Sequence, residues 1–333
     1  MTAQMSSFPN GFAGGVSIRG VPLIQTHPGK VFWVSNNTTN LETGTLPGSN
    51  GNAGTYRAPF STLAYALTMA KAGRGDIIFI KPGHAESVSA AAGIVLSVAG
   101  VAIVGLGAGG SRPTFTFDTA NTATITVTAS NVTVTNILFV GGFLNVATCF
   151  AIANAQVATD FTVVDCEFRD GSGILNFVKI INIGTTANIS DGLKFVGNRV
   201  LGKATTPAAG TTAIVTASAA DRWTITDNWV CHDVKKEDTP ALIEAGALDL
   251  TGLLVARNVV FRANTTCSGT GHLIGGSSTA STGMVSDNYV KTLDVATMLI
   301  APTGLKLGYT NNLLSGTADT SGILIPAADS DGS

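Results

Sequence analysis

The chain has 333 residues, of which 45% are hydrophobic and 12% are charged. This charged fraction is roughly half that of an average soluble domain, and with 39 glycines it disfavours both disorder and helical bundles. The net charge is −2 and no Lys/Arg cluster occurs, so the sequence excludes nucleic acid as a partner and predicts a packed, sheet-rich protein.

The first segment, residues 1–30, is rich in Gly, Ser and Pro, and its hydrophobic residues show no regular spacing. We therefore predict an extended N-terminal arm that lies on a partner surface. Its predicted partner contacts are Phe8, Phe12, Ile18, Leu23 and Ile24. Residues 1–8 show no basic region followed by an apolar one, so we expect no signal peptide and synthesis in a host cytoplasm.

Residues 31–98 are predicted to form a capping region with one helix. Ser61 is the predicted N-cap of this helix and Gly73 its predicted end. The apolar face of the helix consists of Leu63, Ala66, Leu67 and Ala70. A lid of this kind is needed at the end of a stack of strands, because the first coil would otherwise expose its apolar interior.

Residues 90–110 contain no charge, which meets the length criterion for a membrane span. Six glycines interrupt the stretch, and Thr-rich alternating segments follow it. This pattern favours a sheet over a lipid-embedded helix, so no membrane partner is expected.

An internal repeat dominates the rest of the chain. Alternating apolar strands end at turns whose central residues are spaced by 29, 32, 30, 30, 30 and 24 positions. These central residues are Ile137, Cys166, Asn198, Asn228, Asn258, Asn288 and Asn312. A repeat of this length indicates stacked structural units, each of which contacts only its neighbours.

Stacking explains the recurrent residues if each repeat is one coil of three short strands. Equivalent residues then lie ~4.8 Å apart in adjacent coils. The Asn residues from Asn198 to Asn312 should form an internal ladder at a bend, where we expect Asn itself to adopt the left-handed conformation. The neighbouring column of Asp227, Arg257 and Asp287 alternates in charge, which predicts modest ion pairing between coils.

The predicted fold is therefore all-β, a single right-handed parallel β-helix of about seven coils with an N-terminal capping helix and an extended arm. The coils are assigned to residues 99–318, and residues 319–333 form a short polar tail.

Metal-binding and redox motifs are lacking in the sequence. The cysteines, which show neither a CxxC pair nor zinc-finger spacing, are Cys149, Cys166, Cys231 and Cys267. We predict buried free thiols, no metal and no cofactor. The histidines, each predicted to be a polar loop residue, are His27, His84, His232 and His272.

Two resemblances follow from these segments. Residues 59–63 (Pro-Phe-Ser-Thr-Leu), the helix, residues 75–84 and the Asn-marked coils resemble the pectin-lyase-like β-helix superfamily, over about residues 55–316. Residues 8–12, 29–34 and 100–107 resemble virion proteins of tailed bacteriophages. The second resemblance implies a capsid-surface or tail component that is commonly a trimer.

Enzymes of the pectin-lyase-like superfamily need several carboxylates that converge on one site. The candidates here are Asp165, Glu167 and Asp170 on one coil, with Asp191 or Arg199 on the next. We favour ordinary solvated or intersubunit charges at these positions, because no Asn-Thr-Asp or His-Gly motif occurs. No catalytic residue is therefore assigned.

A charged insertion at residues 231–238 is the other candidate contact region, through His232, Lys235, Lys236 and Glu237. A solvated loop is the alternative explanation for it. The resemblance to phage virion proteins, together with the missing catalytic motifs, implies a non-enzymatic virion protein, a capsid decoration or cement protein. We expect it to be attached to the major capsid protein or other virion proteins through its arm, and to form a homotrimer on the capsid surface.

Two alternatives remain open. The first is a short tailspike or tail fibre component that binds or cleaves host surface polysaccharide. The second is a cellular surface β-helix, which the missing signal sequence disfavours.

Overall fold

The structure is a computed structural model that describes most of the chain. The described residues are 16–18, 21–23, 29–39, 41–171, 175–202, 211–232, 241–262, 273–276, 278, 280–291, 307–315 and 323–325.

Short strands make up nearly all regular structure in these ranges. The elements before the first complete coil are β1 (Val16–Ile18), β2 (Val21–Leu23), β3 (Val31–Val34) and α1 (Leu63–Met69). The first two coils contain β4 (Ile77–Ile80), β5 (Ala85–Ser87), β6 (Ile94–Leu96), β7 (Ala102–Gly105), β8 (Thr114–Phe117) and β9 (Ile125–Val127), with a 3-10 turn at Gly109–Ser111. The next two contain β10 (Thr133–Thr135), β11 (Leu138–Gly141), β12 (Phe150–Ile152), β13 (Thr162–Val164), β14 (Glu167–Asp170) and β15 (Lys179–Ile183).

The strands of the remaining coils follow the same order. The fifth and sixth coils contain β16 (Lys194–Val196), β17 (Arg199–Gly202), β18 (Thr212–Thr216), β19 (Ala220–Asp221), β20 (Thr224–Thr226), β21 (Trp229–His232) and β22 (Ile243–Gly246). The seventh contains β23 (Leu250–Thr251), β24 (Leu253–Ala256), β25 (Val259–Arg262) and β26 (Ile274–Gly276). The C-terminal strands are β27 (Gly283–Ser286), β28 (Tyr289–Lys291), β29 (Gly308–Thr310), β30 (Asn312–Ser315) and β31 (Ile323–Ile325).

Three long sheets run along the molecule. Sheet 1 has ten strands, from β3 to β29, sheet 2 has ten, from β5 to β31, and sheet 3 has seven, from β6 to β26. The coil-to-coil pairs are parallel, and β31 joins β30 in the antiparallel sense. Each coil passes through sheets 1, 2 and 3 in turn, so the predicted right-handed parallel β-helix is confirmed, and seven coils contribute a strand to all three sheets.

The coils begin earlier in the chain than the predicted boundary at residue 99. Strand β4 pairs with β7 over four residues, and β3 pairs with β4 in the same sheet. Strands β5 and β6 complete a coil with β4. The region assigned to the cap therefore contains a full coil, which the sequence did not reveal because that coil lacks the Asn mark.

The interior of the rod is filled by stacked apolar side chains. Phe115, Phe139 and Phe168 occupy one register column of sheet 2, with ring centroids 5.9 and 5.2 Å apart. Phe195 continues the stack from sheet 1, 5.9 Å from Phe168. All four rings are almost fully buried. Burial of each contributes about 2–3 kcal/mol, so the period-2 pattern directly supplies the driving force for coil stacking.

Helix α1 covers the N-terminal end of this interior, as the capping prediction requires. Its buried residues are Leu63, Ala66 and Leu67. The N-cap is Thr62, whose hydroxyl accepts from the Tyr65 N–H, so the predicted Ser61 cap is wrong by one residue. Asn50 Oδ1 accepts hydrogen bonds from the backbone and hydroxyl groups of both Ser61 and Thr62, and so fixes the segment that enters the helix. The helix also ends at Met69 rather than near Gly73.

A buried carboxylate fastens the segments around the cap. Both oxygens of Asp76 bind the Arg74 guanidinium, at 2.5 and 2.6 Å, and they also accept from the backbone N–H groups of Lys30 and Lys71. Burial alone would raise the pKa of Asp76, but these four hydrogen bonds outweigh it and hold that pKa below its ordinary value.

His84 is part of the same junction and lies in the loop between β4 and β5, as predicted, but it is buried there. It is 1% exposed, its Nδ1 accepts from the Asn36 N–H, and its Nε2 lies 3.1 Å from Glu86. Glu86 in turn accepts from the Leu63 N–H at the start of α1. The imidazole therefore ties the loop after β3 to the first coil.

The Asn ladder joins five coils at the turn between sheets 1 and 2. Each Nδ2 donates to a carbonyl of the preceding coil, as Asn258 does to Ile225 at 2.9 Å. The rungs that are buried in this way are Asn198, Asn228, Asn258, Asn288 and Asn312. From Asn198 to Asn288, each backbone N–H donates to Oδ1 of the next rung.

The left-handed conformation lies one residue before each Asn, which corrects the expectation that Asn itself adopts it. In the turns between sheets 1 and 2, the residues with φ between 52° and 67° are Asn136, Asp165, Gly197, Asp227, Arg257, Asp287 and Asn311. The Asn side chain must point inward to reach buried carbonyls, whereas the outward residue can take the unusual φ without burying a polar group.

Candidate functional site

The four candidate carboxylates do not converge. Asp165 is exposed at the turn between sheets 1 and 2, and Glu167 and Asp170 follow on β14. Asp191 lies between β15 and β16, at the turn from sheet 3 to sheet 1, where its Oδ1 accepts from the Asp221 N–H at 3.0 Å. Asp191 therefore belongs to a different edge of the rod.

Glu167 is the most constrained of these groups. It faces outward, because it alternates with the inward Phe168, yet it is only 5% exposed. Arg112 Nη1 lies 3.2 Å from one carboxylate oxygen, and Arg169 Nε donates to the other. In the next coil, the residue in register with Glu167 is Arg199. The nearest coil on that side thus supplies a cation rather than a second carboxylate.

The outer face of sheet 2 beyond this ion-pair cluster carries aromatic side chains. Trp229, Phe261 and Tyr289 lie on three consecutive coils, with centroid separations of 6.2 and 5.4 Å. Trp229 is 46% exposed, and Leu313 at the end of the column is 36% exposed. We call this set of four side chains the aromatic strip. Large apolar side chains held at the surface in a row are typical of contact sites.

Three arginines lie at the N-terminal end of the aromatic strip. The guanidinium of Arg199 lies over the Trp229 ring, 5.4 Å from its centroid, which is a cation–π contact. Arg112 and Arg169 share Glu167. We call these four charged residues the basic cluster; its net charge is +2.

The turn column beside sheet 2 has the opposite charge. Its exposed charged residues are Asp165, Asp227, Arg257 and Asp287, which we call the acidic ridge. Arg257 binds both oxygens of Asp227 at 2.7 Å, and this hydrogen bonding lowers the pKa of Asp227 against a smaller opposing effect of burial. The ridge has a net charge of −2.

Several predicted contact residues cannot be placed. Outside the described residues are Phe8, Phe12, Ile24, Lys235, Lys236, Glu237, His27, Cys267 and His272. Ile18 and Leu23 lie on the short antiparallel pair β1 and β2, and His232 ends β21. The pairing of β1 with β2 shows that the predicted arm is not extended throughout.

Of the three described cysteines, two are buried as predicted, whereas Cys231 is half-buried. Cys149 and Cys166 are buried, and burial raises the pKa of both thiols, that of Cys166 to about 12. Among the residues described, no group of three or more His, Cys, Asp or Glu side chains is arranged to hold a metal ion. In the same ranges, none of the helices is long and apolar enough to cross a membrane.

The aromatic strip was missed at the sequence level, although a signal for it exists. The residue directly after each ladder Asn faces outward, because the second residue after it points into the core. These outward positions hold Arg199, Trp229, Val259, Tyr289 and Leu313. Large or apolar residues at exposed sheet positions would have marked this face.

Comparison with known proteins gives similarity in structure but not in sequence. No family model and no curated protein matches the chain. One similar solved structure is a rhamnogalacturonan lyase, with 13% identity, a TM-score of 0.43, and coverage of 87% of this chain and 86% of that one. A second is a GH136 lacto-N-biosidase from Eubacterium ramulus, with 12% identity, a TM-score of 0.36, and coverage of 86% and 68%.

Proposed function

We propose that this protein is a non-enzymatic structural component of a virion, a capsid decoration or cement protein that forms a β-helix trimer. The observation that carries the proposal is the state of Glu167, the best-placed candidate acid, which is buried between Arg112 and Arg169. Its two ion pairs hold the carboxylate in place between neighbouring strands, which supports a scaffold role. The resemblance of residues 8–12, 29–34 and 100–107 to phage virion proteins supplies the biological setting.

The proposed attachment to the shell is through residues 1–30. The test is occupancy of purified shells by the full chain and by a variant that lacks residues 2–28. We expect the deletion variant to lose binding. A full-length Lys235→Ser/Lys236→Ser variant shows separately whether the charged insertion at residues 231–238 contributes to binding. Undiminished occupancy after the deletion would remove the arm from the proposal.

The alternative is a tailspike-like protein that binds or cleaves host polysaccharide. The exposed ring of Trp229 and the half-buried ring of Tyr289 favour it, since sugar rings stack on aromatic faces. Depolymerase activity on host polysaccharide decides the matter, with Glu167→Gln as the test variant and Asp160→Asn as a surface control. We expect no cleavage by the wild-type chain. Cleavage that Glu167→Gln abolishes and Asp160→Asn retains would overturn the structural role.

A further inference from the structure

We propose that the outer face of sheet 2 is the contact between copies of this chain, with the basic cluster and aromatic strip of one copy packed against the acidic ridge of the next. The inference deepens the proposed structural role and rests on it only for its biological meaning. It names the surface and residues through which the trimer would form.

The first support is the composition of the face. From Leu138 on β11 to Leu313 on β30 it spans six coil steps, or about 29 Å, and the width of a four-residue strand, about 13 Å. The flat footprint of the face is therefore about 380 Å² per copy, which places this contact at the small end of specific protein interfaces. Trp, Tyr and Arg are the residues that dominate protein interfaces, and Trp229, Tyr289 and Arg199 all lie here.

The second support distinguishes a protein from a glycan as the occupant. A bound sugar needs hydrogen-bonding groups for its hydroxyls as well as flat rings. Apolar residues at outward positions beside the rings are Leu201, Val259 and Leu313, whereas Lys291 and Ser315 continue the register column of Phe261. A surface with aliphatic side chains around its aromatic rings suits another protein surface better than a carbohydrate.

The third support is charge complementarity within the chain itself. The basic cluster on this face has a net charge of +2, so two copies packed in parallel with identical faces together would oppose like charges. The acidic ridge has a net charge of −2 and lies at the same height, since Asp165 and Arg169 belong to one coil. Cyclic symmetry keeps copies at equal height and joins different surfaces of neighbouring copies. Glu167, which is in register with Arg199, is bound by Arg112 and Arg169, so a second copy would supply the carboxylate partner of Arg199.

The test is the mass of the full chain in solution by sedimentation velocity over a range of concentrations. We expect trimers for the wild type and dissociation for Trp229→Ser and Arg199→Glu. Matched controls on the outer face of sheet 1 are Met284→Ser, which removes a side chain of similar exposure, and Lys194→Glu. Both controls should stay trimeric.

A charge exchange makes the test independent of folding. Arg199→Glu combined with Asp165→Lys should restore association, and a long basic side chain is tolerated at this turn position because Arg257 occupies it in another coil. A wild-type chain that is monomeric at every concentration would overturn the inference. Dissociation of the sheet 1 control variants alone would also overturn it. So would binding of polygalacturonate by a monomer, if Trp229→Ser abolished that binding. Shell occupancy is measured separately, so a monomer that still decorates shells refutes the interface and retains the function.

Discussion

Replacement of Asn258 by Ala tests the ladder most severely, because Asn258 is a central rung. Its Nδ2 donates to Ile225 O and to Asn288 Oδ1, at 2.9 Å each. Its Oδ1 accepts from the backbone and side-chain nitrogens of Asn228, at 3.1 and 2.8 Å. Four hydrogen bonds at a fully buried site disappear together. At about 1 kcal/mol each, with a further cost for the orphaned groups, the free energy of unfolding should fall by roughly 4–5 kcal/mol.

Equilibrium urea unfolding monitored by circular dichroism gives this difference directly. The control is Arg257→Asn, one residue earlier in the same turn, where the side chain is exposed and Asn tolerates the positive φ of 54°. The control should shift the midpoint only slightly. Equal destabilisation by Asn258→Ala and Arg257→Asn would refute the reasoning that the amide ladder, rather than the turn itself, holds the coils together.

Three further predictions concern the core, the cap and the close approach of coils. Phe168→Ala should lower the free energy of unfolding by about 3–5 kcal/mol, because it opens a cavity between Phe139 and Phe195. The control Val140→Ala lies on the outer face and should change the free energy of unfolding little. Asp76→Asn should expose the end of the rod to limited proteolysis near residues 71–76. Because the pKa of Asp76 is lowered in the folded state, its stabilising contribution is complete above the ordinary value of 3.8 and disappears as the pH falls through the folded pKa. Acid-unfolding curves of the wild type and of Asp76→Asn measure this contribution. Coincident curves would contradict the prediction. Gly105→Ala should destabilise strongly, because its Cβ would lie 2.2 Å from the Asn136 carbonyl oxygen, and Gly110→Ala, with open space around it, is the control for thermal unfolding.

The fold was predictable because each coil needs the same residue types at the same positions. Asn198 and its equivalents stand out at fixed spacing, since every coil needs an inward amide at the same turn. The first coil escaped detection because its turn at Pro82 and Gly83 uses different residues. The position of the left-handed residue was wrong because spacing alone does not show which of two adjacent turn residues faces inward.

The candidate site was less predictable because it depends on contacts across coils. The sequence shows that Asp191 lies 24 residues after Glu167, but only the path of the chain places it at another edge of the rod. His84 is the loop residue that the sequence predicts, but its burial was not predictable, because the loop containing Asn36, 48 residues earlier, contacts it. Glu167 likewise has a partner that is distant in sequence, since Arg112 lies 55 residues before it.

The most direct test of the central claim, a structural role in a virion, is a cryo-EM map of the parent particle in which this chain is located. The account predicts β-helical rods on the shell, grouped in threes, with sheet 2 at the contacts between copies and the N-terminal segment against the shell. Absence of the chain from the particle, or its location only at the tail tip as a polysaccharide-cleaving spike, would contradict it.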